Sequence, residues 1–315
     1  MKAIAYQKFG NTAVLQTVEQ SKPSIKDGQV LVKVKAFSVN PMDWKIRKGE
    51  MKLMSGSSFP KNTGADFSGI IVDTGNSTFK KGDEIFGVVK NMMKDGASAE
   101  YVAVPSSMVW KKPAHLSFAQ AASIPVAGTA ALTALEKMGN INAQAEILVN
   151  GATGGFGMFL LQLLKQKGAR VTAVTSTKGS EFAKKWGAET VIDYSKEDVL
   201  NQNHLYDIII DLSGKMRYDF AKKIMKPKSR FLNPTPQPVE IPISLFKNLF
   251  TDKKHIIVLA SPSAKYTAQL MAAVDKGLQI EVNRVFQFEQ TQEAYQYAEK
   301  GGFQGKVVVE INSQQ

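Results

Sequence analysis

Residues 150–157 read NGATGGFG, three of its four glycines spaced three apart, with the apolar run Ile147-Leu148-Val149 before them and a long apolar-polar stretch after. A short apolar run, a glycine turn and then Leu160, Leu161, Leu163 and Leu164 at helical spacing predict a strand that becomes a helix buried on a sheet. Gly151 permits the sharp turn, Gly154 removes a side chain where a pyrophosphate could approach backbone N–H groups, and Gly157 lets the helix sit close to the sheet. The opening of the helix, with Gly155 and Phe156, supplies unpaired donors and a dipole that favours an anion. The spacing is G-x-x-G-x-x-G rather than the commoner G-x-G-x-x-G, and a tight connection without a ligand is the competing reading.

The next strand speaks to which dinucleotide would fit. In NAD sites an acidic residue near its end accepts the adenosine ribose hydroxyls. Here Thr175, Ser176, Thr177 and Lys178 stand at that place, with no acid before Glu181. Hydroxyls and an ammonium suit a 2′-phosphate, whereas a carboxylate would repel it, so NADPH is expected over NADH. Ser176 and Lys178 are the specificity candidates, and Tyr194, at the end of the following strand, is a third. For Lys178 an exposed loop lysine is the alternative.

The first third of the chain reads as short β-branched strands, in "KAIAYQ", "GQVLVKVKAFSVN", "FSGIIVDTG" and "AEYVAVP", and predicts a mostly antiparallel, barrel-like domain ending near Pro113. From about Ala119 helical stretches, interrupted by Pro125 and Gly128, give way to alternating strands and helices. That alternation predicts a parallel sheet covered on both faces, an α/β architecture. A helix at 266–276, the strand "QIEVNRVFQF", a helix near 292–300 and a final strand "KVVVEI" suggest a return to the first domain.

With 315 residues the chain can build more than one core. It has no cysteine, which excludes disulfides, thiolate catalysis and cysteine-based metal sites. A net charge of +12 would admit nucleic acid or another anionic partner, but the lysines are spread in short pairs such as Lys80-Lys81 and Lys184-Lys185, which argues against nucleic acid. No secretory signal and no membrane-length apolar run is visible, so a soluble, cytoplasmic protein is expected.

The segments "SVNPMDWKIRKG", "GADFSGIIVDTG", "KKGDEIFG", "GASAEYVAV", "NGATGGFG", "GAETVIDY" and "GKVVVEI", in that order, resemble the medium-chain dehydrogenase/reductase superfamily and, within it, the zinc-independent quinone oxidoreductase-like group. The resemblance covers nearly the whole chain. It implies a GroES-like catalytic domain over residues 1–118, a Rossmann NADPH-binding domain over 119–264 and a return to the catalytic domain over 265–315. It also implies a homodimer joined through the edge strands "HIIVLA". Where metal-dependent relatives carry zinc ligands, this chain has Asn40, Ala65 and Val126, none a zinc-ligand type. His115, His204 and His255 are scattered and expected at the surface or in loops. No metal is expected.

Hydride transfer then belongs to the nicotinamide, and a quinone or α,β-unsaturated carbonyl substrate, already activated by conjugation, needs little further polarisation. The resemblance places Asn40 facing the nicotinamide, where its neutral amide could donate to a carbonyl oxygen or a developing enolate. Asp43 either takes part or orders the turn around Asn40. Thr129 is implied near the nicotinamide, with helix capping as its alternative, and Asn233 as a cofactor contact in a proline-rich connection. Lys45 and Arg47 could attract an anion or decorate the surface. Met51, Leu53, Met54 and Phe59, with Phe246, Leu249 and Phe250 opposite, could rim an apolar substrate mouth. Lys306 reads as a structural lysine or a phosphate contact. The alternative function is a non-enzymatic, nucleotide-responsive or RNA-binding protein that kept the dinucleotide site. If the segment after Val174 selects the phosphate, Lys178→Ala will weaken NADPH binding more than NADH binding in calorimetry, whereas equal losses would remove Lys178 from that role.

Overall fold

The computed structural model describes residues 1–312 except Pro238 and Ser261. Its β-rich first part contains β1 (Lys2–Tyr6), β2 (Gln16–Glu19), β3 (Gln29–Ser38), α1 (Pro41–Arg47), α2 (Lys52–Ser55), β4 (Lys61–Asn62), β5 (Asp66–Asp73), β6 (Glu84–Val88), β7 (Tyr101–Pro105) and β8 (Val109–Lys111). Helices α3 (Phe118–Ala122) and α4 (Pro125–Met138) lead into an alternating part. This comprises β9 (Glu146–Asn150), α5 (Gly155–Gln166), β10 (Arg170–Thr175), α6 (Ser180–Trp186), β11 (Thr190–Asp193), β12 (Tyr206–Asp211), α7 (Tyr218–Ala221), β13 (Met225–Asn233), α8 (Glu240–Lys247) and β14 (Lys254–Ile257). The chain finishes with α9 (Ala264–Asp275), β15 (Val282–Gln287), α10 (Thr291–Lys300) and β16 (Lys306–Glu310).

The alternating part forms a six-stranded parallel sheet in the order β11-β10-β9-β12-β13-β14. Its central strands are apolar on both faces, as a doubly covered sheet requires. Ile147, Val149, Ile208 and Ile210 point into one core with α4, α5 and α9, while Leu148 and Ile209 point into another with Tyr218 and Ile224. Strand order reverses between β9 and β12. Loops at the carboxyl ends of such a pair frame a crevice, the usual ligand position in sheets of this type.

The first part builds a seven-stranded sheet, β15-β16-β3-β5-β6-β8 with β7 also on β3, and a three-stranded sheet, β2-β1-β4. Pairing along it is antiparallel except for β15 with β16. The C-terminal strand β16 lies against β3, with Val308 opposite Ser38. In packing terms the return to this sheet starts later than residue 265. Leu270 and Val274 of α9 lie in the core with Ala131 and Leu132 of α4, and β15 is the first element back on the other sheet.

Gly128 does not interrupt a helix. It sits inside α4, where a Cβ would stand 2.7 Å from Leu270 Cδ1, so the glycine is the contact through which α9 approaches. Pro125 occupies the first turn of α4, a position where its missing N–H costs nothing. Strand β14 is an outer strand of its sheet, as the family resemblance implied for "HIIVLA", but spans four residues. Its outward groups at His255 are already occupied: the Asn248 side chain accepts from His255 N–H and donates to His255 C=O, both at 2.8 Å. No described helix is long and apolar enough to cross a membrane.

Overpacking a filled helix contact costs about 1–3 kcal/mol. Gly128→Val is therefore expected to lower thermal stability by that amount, read by calorimetry, while a stability equal to the parent's would show that α9 does not press on α4 there.

Candidate active site

The glycine turn uses each glycine differently. Gly151 adopts φ +76°, the left-handed region that disfavours other residues, and its N–H bonds back to Val174 O at 3.0 Å. Gly157 is excluded from having a side chain by the turn itself: a Cβ would stand 2.0 Å from Ala152 O. The close approach expected against the sheet is thus an approach to the preceding loop. Gly155 faces Lys306, whose Cδ would be 2.4 Å from an added Cβ. At Gly154, in contrast, a Cβ would meet no atom within 4 Å. The first helical hydrogen bond runs from Met158 N–H to Gly154 O at 2.9 Å; Gly155 is engaged by the bridge between Gly154 and Gly305, which leaves the N–H groups of Phe156 and Gly157 without acceptors inside the helix. Open approach and unpaired donors at a twelve-residue helix fit a dinucleotide phosphate. The turn is also tied to the other sheet, because Gly305 N–H donates to Thr153 O at 2.9 Å.

The proposed specificity segment lies alongside. Thr175, at the end of β10, shares a 2.7 Å hydrogen bond with Thr153 of the glycine turn, and Ser176 is half-buried while Lys178 is exposed. Tyr194 is 61% exposed and its N–H donates to Thr175 O at 3.1 Å, so all three candidates gather at the ends of β10 and β11. The structure adds an acid that the run "VTSTKGS" lacks. Asp193, paired in register with Thr175, accepts from the Thr177 hydroxyl and from Ser195, and these bonds hold its carboxyl down at about 2. It is a carboxylate at neutral pH, with its oxygens turned onto its own loop.

The first sheet contributes a buried polar cluster at the β3–α1 junction. Asn40 is 3% exposed. Its amide nitrogen donates to Asp66 Oδ2 at 3.0 Å and to Ser38 Oγ at 3.4 Å, and its amide oxygen accepts from Lys306 Nζ at 2.6 Å. Asp66 also accepts from the Ser38 hydroxyl at 2.9 Å and from Val126 N–H, at the start of α4, at 3.0 Å. Asp43 accepts from Asn40 N–H at 2.8 Å and from the Tyr295 hydroxyl at 3.2 Å, while Thr63 pairs with that hydroxyl at 2.8 Å. Asp43 thus orders the turn that presents Asn40. Burial pushes Asp43 up to about 7, against the Asn40 N–H that favours its charged form. Burial likewise raises Asp66 and Tyr295 and lowers Lys306, with Lys306 and Asp66 opposing each other's shift.

Sequence reasoning passed over Asp66 and underrated Lys306; the signal was a single charged residue at the head of an apolar strand, in "GADFSGII" and "GKVVVEI". Tyr295 gave no signal, since an aromatic on the inner face of a helix is ordinary core. Thr129 lies within α4 rather than at its cap, is 1% exposed, and its hydroxyl has no partner among the described residues. Asn233 accepts from Thr235 N–H at 3.0 Å and donates to Glu240 at 3.3 Å, so its side chain is committed to its own loop; Pro238 of that connection lies outside the described residues. Arg47 is fully buried on Glu299 and the Gly10 carbonyl, a structural ion pair rather than surface charge. His115 and His204 are exposed, but His255 is 7% exposed and stacks on Tyr218, because β14 turns it inward. Phe59 packs on Phe9. Leu53, Met54, Phe246, Leu249 and Phe250 all remain exposed. Among the described residues no three His, Cys, Asp or Glu side chains are grouped to hold a metal ion.

Comparison with known proteins agrees with this architecture. Residues 26–114 match the family described as alcohol dehydrogenase GroES-like domain, and residues 186–309 the family described as zinc-binding dehydrogenase. The 2-methylene-furan-3-one reductase of Solanum lycopersicum is 33% identical over 98% of this chain and 79% of its own length. The chloroplastic NADPH-dependent alkenal/one oxidoreductase of Arabidopsis thaliana is 31% identical over the same shares. A solved quinone oxidoreductase from Coxiella burnetii superposes with a TM-score of 0.89 at 31% identity, covering 99% of both chains. A GroES-like body joined to a Rossmann sheet is the architecture of the medium-chain dehydrogenases/reductases. The chain belongs to that superfamily, in its quinone-oxidoreductase-like branch.

The Asp43 shift carries a sign. A carboxyl raised from 3.8 to about 7 binds its proton more tightly when folded, so its contribution favours folding below the unfolded pKa and is lost as pH climbs to about 7. Relative to the parent, Asp43→Asn should gain stability between pH 4 and 7, by on the order of 4 kcal/mol, and no more above that. Denaturation of both proteins across this range checks it; a constant difference would mean that Asp43 does not titrate there.

Proposed function

We propose that this chain is a zinc-independent, NADPH-dependent reductase that delivers hydride to a quinone or an α,β-unsaturated carbonyl compound. The observation that carries the reading is the open approach to Gly154 at the start of α5, where a side chain would meet nothing within 4 Å. A turn needed only for chain direction requires glycine at Gly151 and Gly157 but not there. The donors of Phe156 and Gly157, beside Gly155, would hold the pyrophosphate, Ser176, Lys178 and Tyr194 would surround the adenosine phosphate, and the unpartnered Thr129 hydroxyl would find its acceptor on the cofactor or substrate. Asn233, bonded within its own loop, would offer its backbone. When bound, the nicotinamide supplies hydride.

The protein's part is to orient the acceptor, exclude water and stabilise the charge that forms. Hydride addition to the β-carbon of an enone places negative charge on the carbonyl oxygen, and a proton from solvent completes the reduction. Of the two Asn40 amide hydrogens, one is held by Asp66 at 3.0 Å; the other, 3.4 Å from Ser38, is the one available to that oxygen. Zinc has no place in this reading. Asn40, Ala65 and Val126 offer neither thiolate nor imidazole, and the Asn40 oxygen already faces an ammonium. The names of the relatives, a furanone reductase, an alkenal/one oxidoreductase and a quinone oxidoreductase, support an activated acceptor without dividing the two classes.

NADPH oxidation against a panel of quinones and a panel of enones tests the activity. Gly154→Asp tests the site. Aspartate is a good helix N-cap, so the melting temperature should hold or rise, while its carboxylate takes the donors intended for phosphate and repels the anion. NADPH affinity should fall by about a hundredfold or more. Undiminished binding in a folded Gly154→Asp protein would displace the cofactor from this turn.

A further inference from the structure

Lys306 opens β16, next to Gly305, and is 4% exposed. Its ammonium donates to Asn40 Oδ1 at 2.6 Å and to Val39 O at 3.2 Å. Its stem passes Gly155 so closely that a Cβ there would stand 2.4 Å from Cδ. One side chain therefore touches the first residue of α5, which packs on the six-stranded sheet, and the amide at the β3–α1 junction, at the end of a strand of the seven-stranded sheet. The backbone reinforces the join through Gly305 N–H and Thr153 O.

The contact with Asn40 has a chemical consequence. An amide can be turned over about its terminal bond, and only its partners decide which end faces where. With the oxygen on an ammonium, the nitrogen must face Asp66 and Ser38. The reverse orientation would set NH2 against NH3+ and the oxygen against a carboxylate. Without the ammonium, Asn40 Oδ1 loses its 2.6 Å donor, and Asp66 and Asp43 lose a nearby cation.

We propose that Lys306 is a positioning residue: it fixes which way the Asn40 amide faces and ties that orientation, through its stem on Gly155, to the glycine turn. The proposal rests on reading Asn40 as the substrate-side group and the turn as the cofactor cradle. It differs from a phosphate-binding role, because the ammonium is directed at Asn40 and Val39.

The first test needs neither cofactor nor substrate. In protein labelled with 15N asparagine, the Asn40 side-chain pair is assigned by its loss in Asn40→Ala, and its hydrogen exchange is followed by NMR. Lys306→Met keeps the stem and removes the ammonium; Gly155→Ala keeps the ammonium and displaces the stem. Both are expected to accelerate Asn40 exchange by about tenfold or more, since exchange follows loss of local restraint. Unchanged exchange in the folded variants overturns the proposal, and Gly155→Ala carries the test if Lys306→Met does not fold. Failure of the parent to bind NADPH would instead defeat the reductase reading and leave this result standing by itself.

The kinetic test uses the intact enzyme. Lys306→Met should lower kcat by about tenfold with the NADPH Kd within about threefold, and the double variant with Asn40→Ala should fall no further than Asn40→Ala alone, because residues acting through one group do not add. Losses that multiply, or NADPH weakened tenfold at unchanged kcat, overturn the assignment.

Discussion

A buried carboxylate gathers this site. Asp66 is wholly out of water, and an isolated charge there would be too costly to keep. It is tolerated because donors arrive from three directions: the Ser38 hydroxyl at the end of β3, the Asn40 amide just beyond it, and the Val126 N–H in the first turn of α4. Ser38 and Asn40 are neighbours in the chain, but Val126 lies more than eighty residues further on, and α4 packs on the six-stranded sheet. Satisfying one anion thus brings the edge of the first body to the start of the second. Lys306 completes the neutralisation from a fourth direction, by way of Asn40. Removing any single partner would leave a buried polar group unanswered, which is why such networks specify geometry more strongly than apolar contacts do.

The glycine turn works by a different principle. Little attraction is involved; what matters is what the backbone may approach. Gly151 needs a left-handed conformation, Gly157 needs to clear a carbonyl oxygen, Gly155 needs to clear the stem of Lys306, and Gly154 needs none of these in the protein alone. A constraint that nothing internal explains points outward, toward something the loop meets. The same logic applies to the Thr129 hydroxyl, enclosed in the interior without a partner among the described residues.

Much of this was legible before any coordinates. Period and punctuation located the parallel sheet and the strand–turn–helix, because local pattern and burial agree there, while the edge strand came only from the family resemblance. The residues missed or misjudged share a physical cause: their meaning depends on neighbours distant in sequence. Gly128 looks like a helix breaker until Leu270 arrives from α9. Arg47 looks like surface charge until Glu299 arrives from α10. His255 looks scattered until Tyr218 stacks on it. Asp193 was passed over although its neighbour Tyr194 was singled out, because its bonds to the Thr177 hydroxyl and to Ser195 form only once β11 lies beside β10. Asn40 and Asp43 could be singled out from the sequence, but not the fact that one amide hydrogen is already spent on Asp66.

Asn248 has a bearing on how copies of this chain could meet. By supplying both an acceptor and a donor to His255, its side chain imitates one peptide unit of a missing seventh strand. Sheet extension at this rim would first have to evict that mimic, so the rim is guarded against indiscriminate strand addition. Beside it, Leu245, Phe246, Leu249 and Phe250 stay more than half uncovered. Any self-association at this end would then be governed by the shape of those side chains rather than by a backbone ladder, which makes it open to being tuned, or lost, through changes on α8 and the turn that follows it.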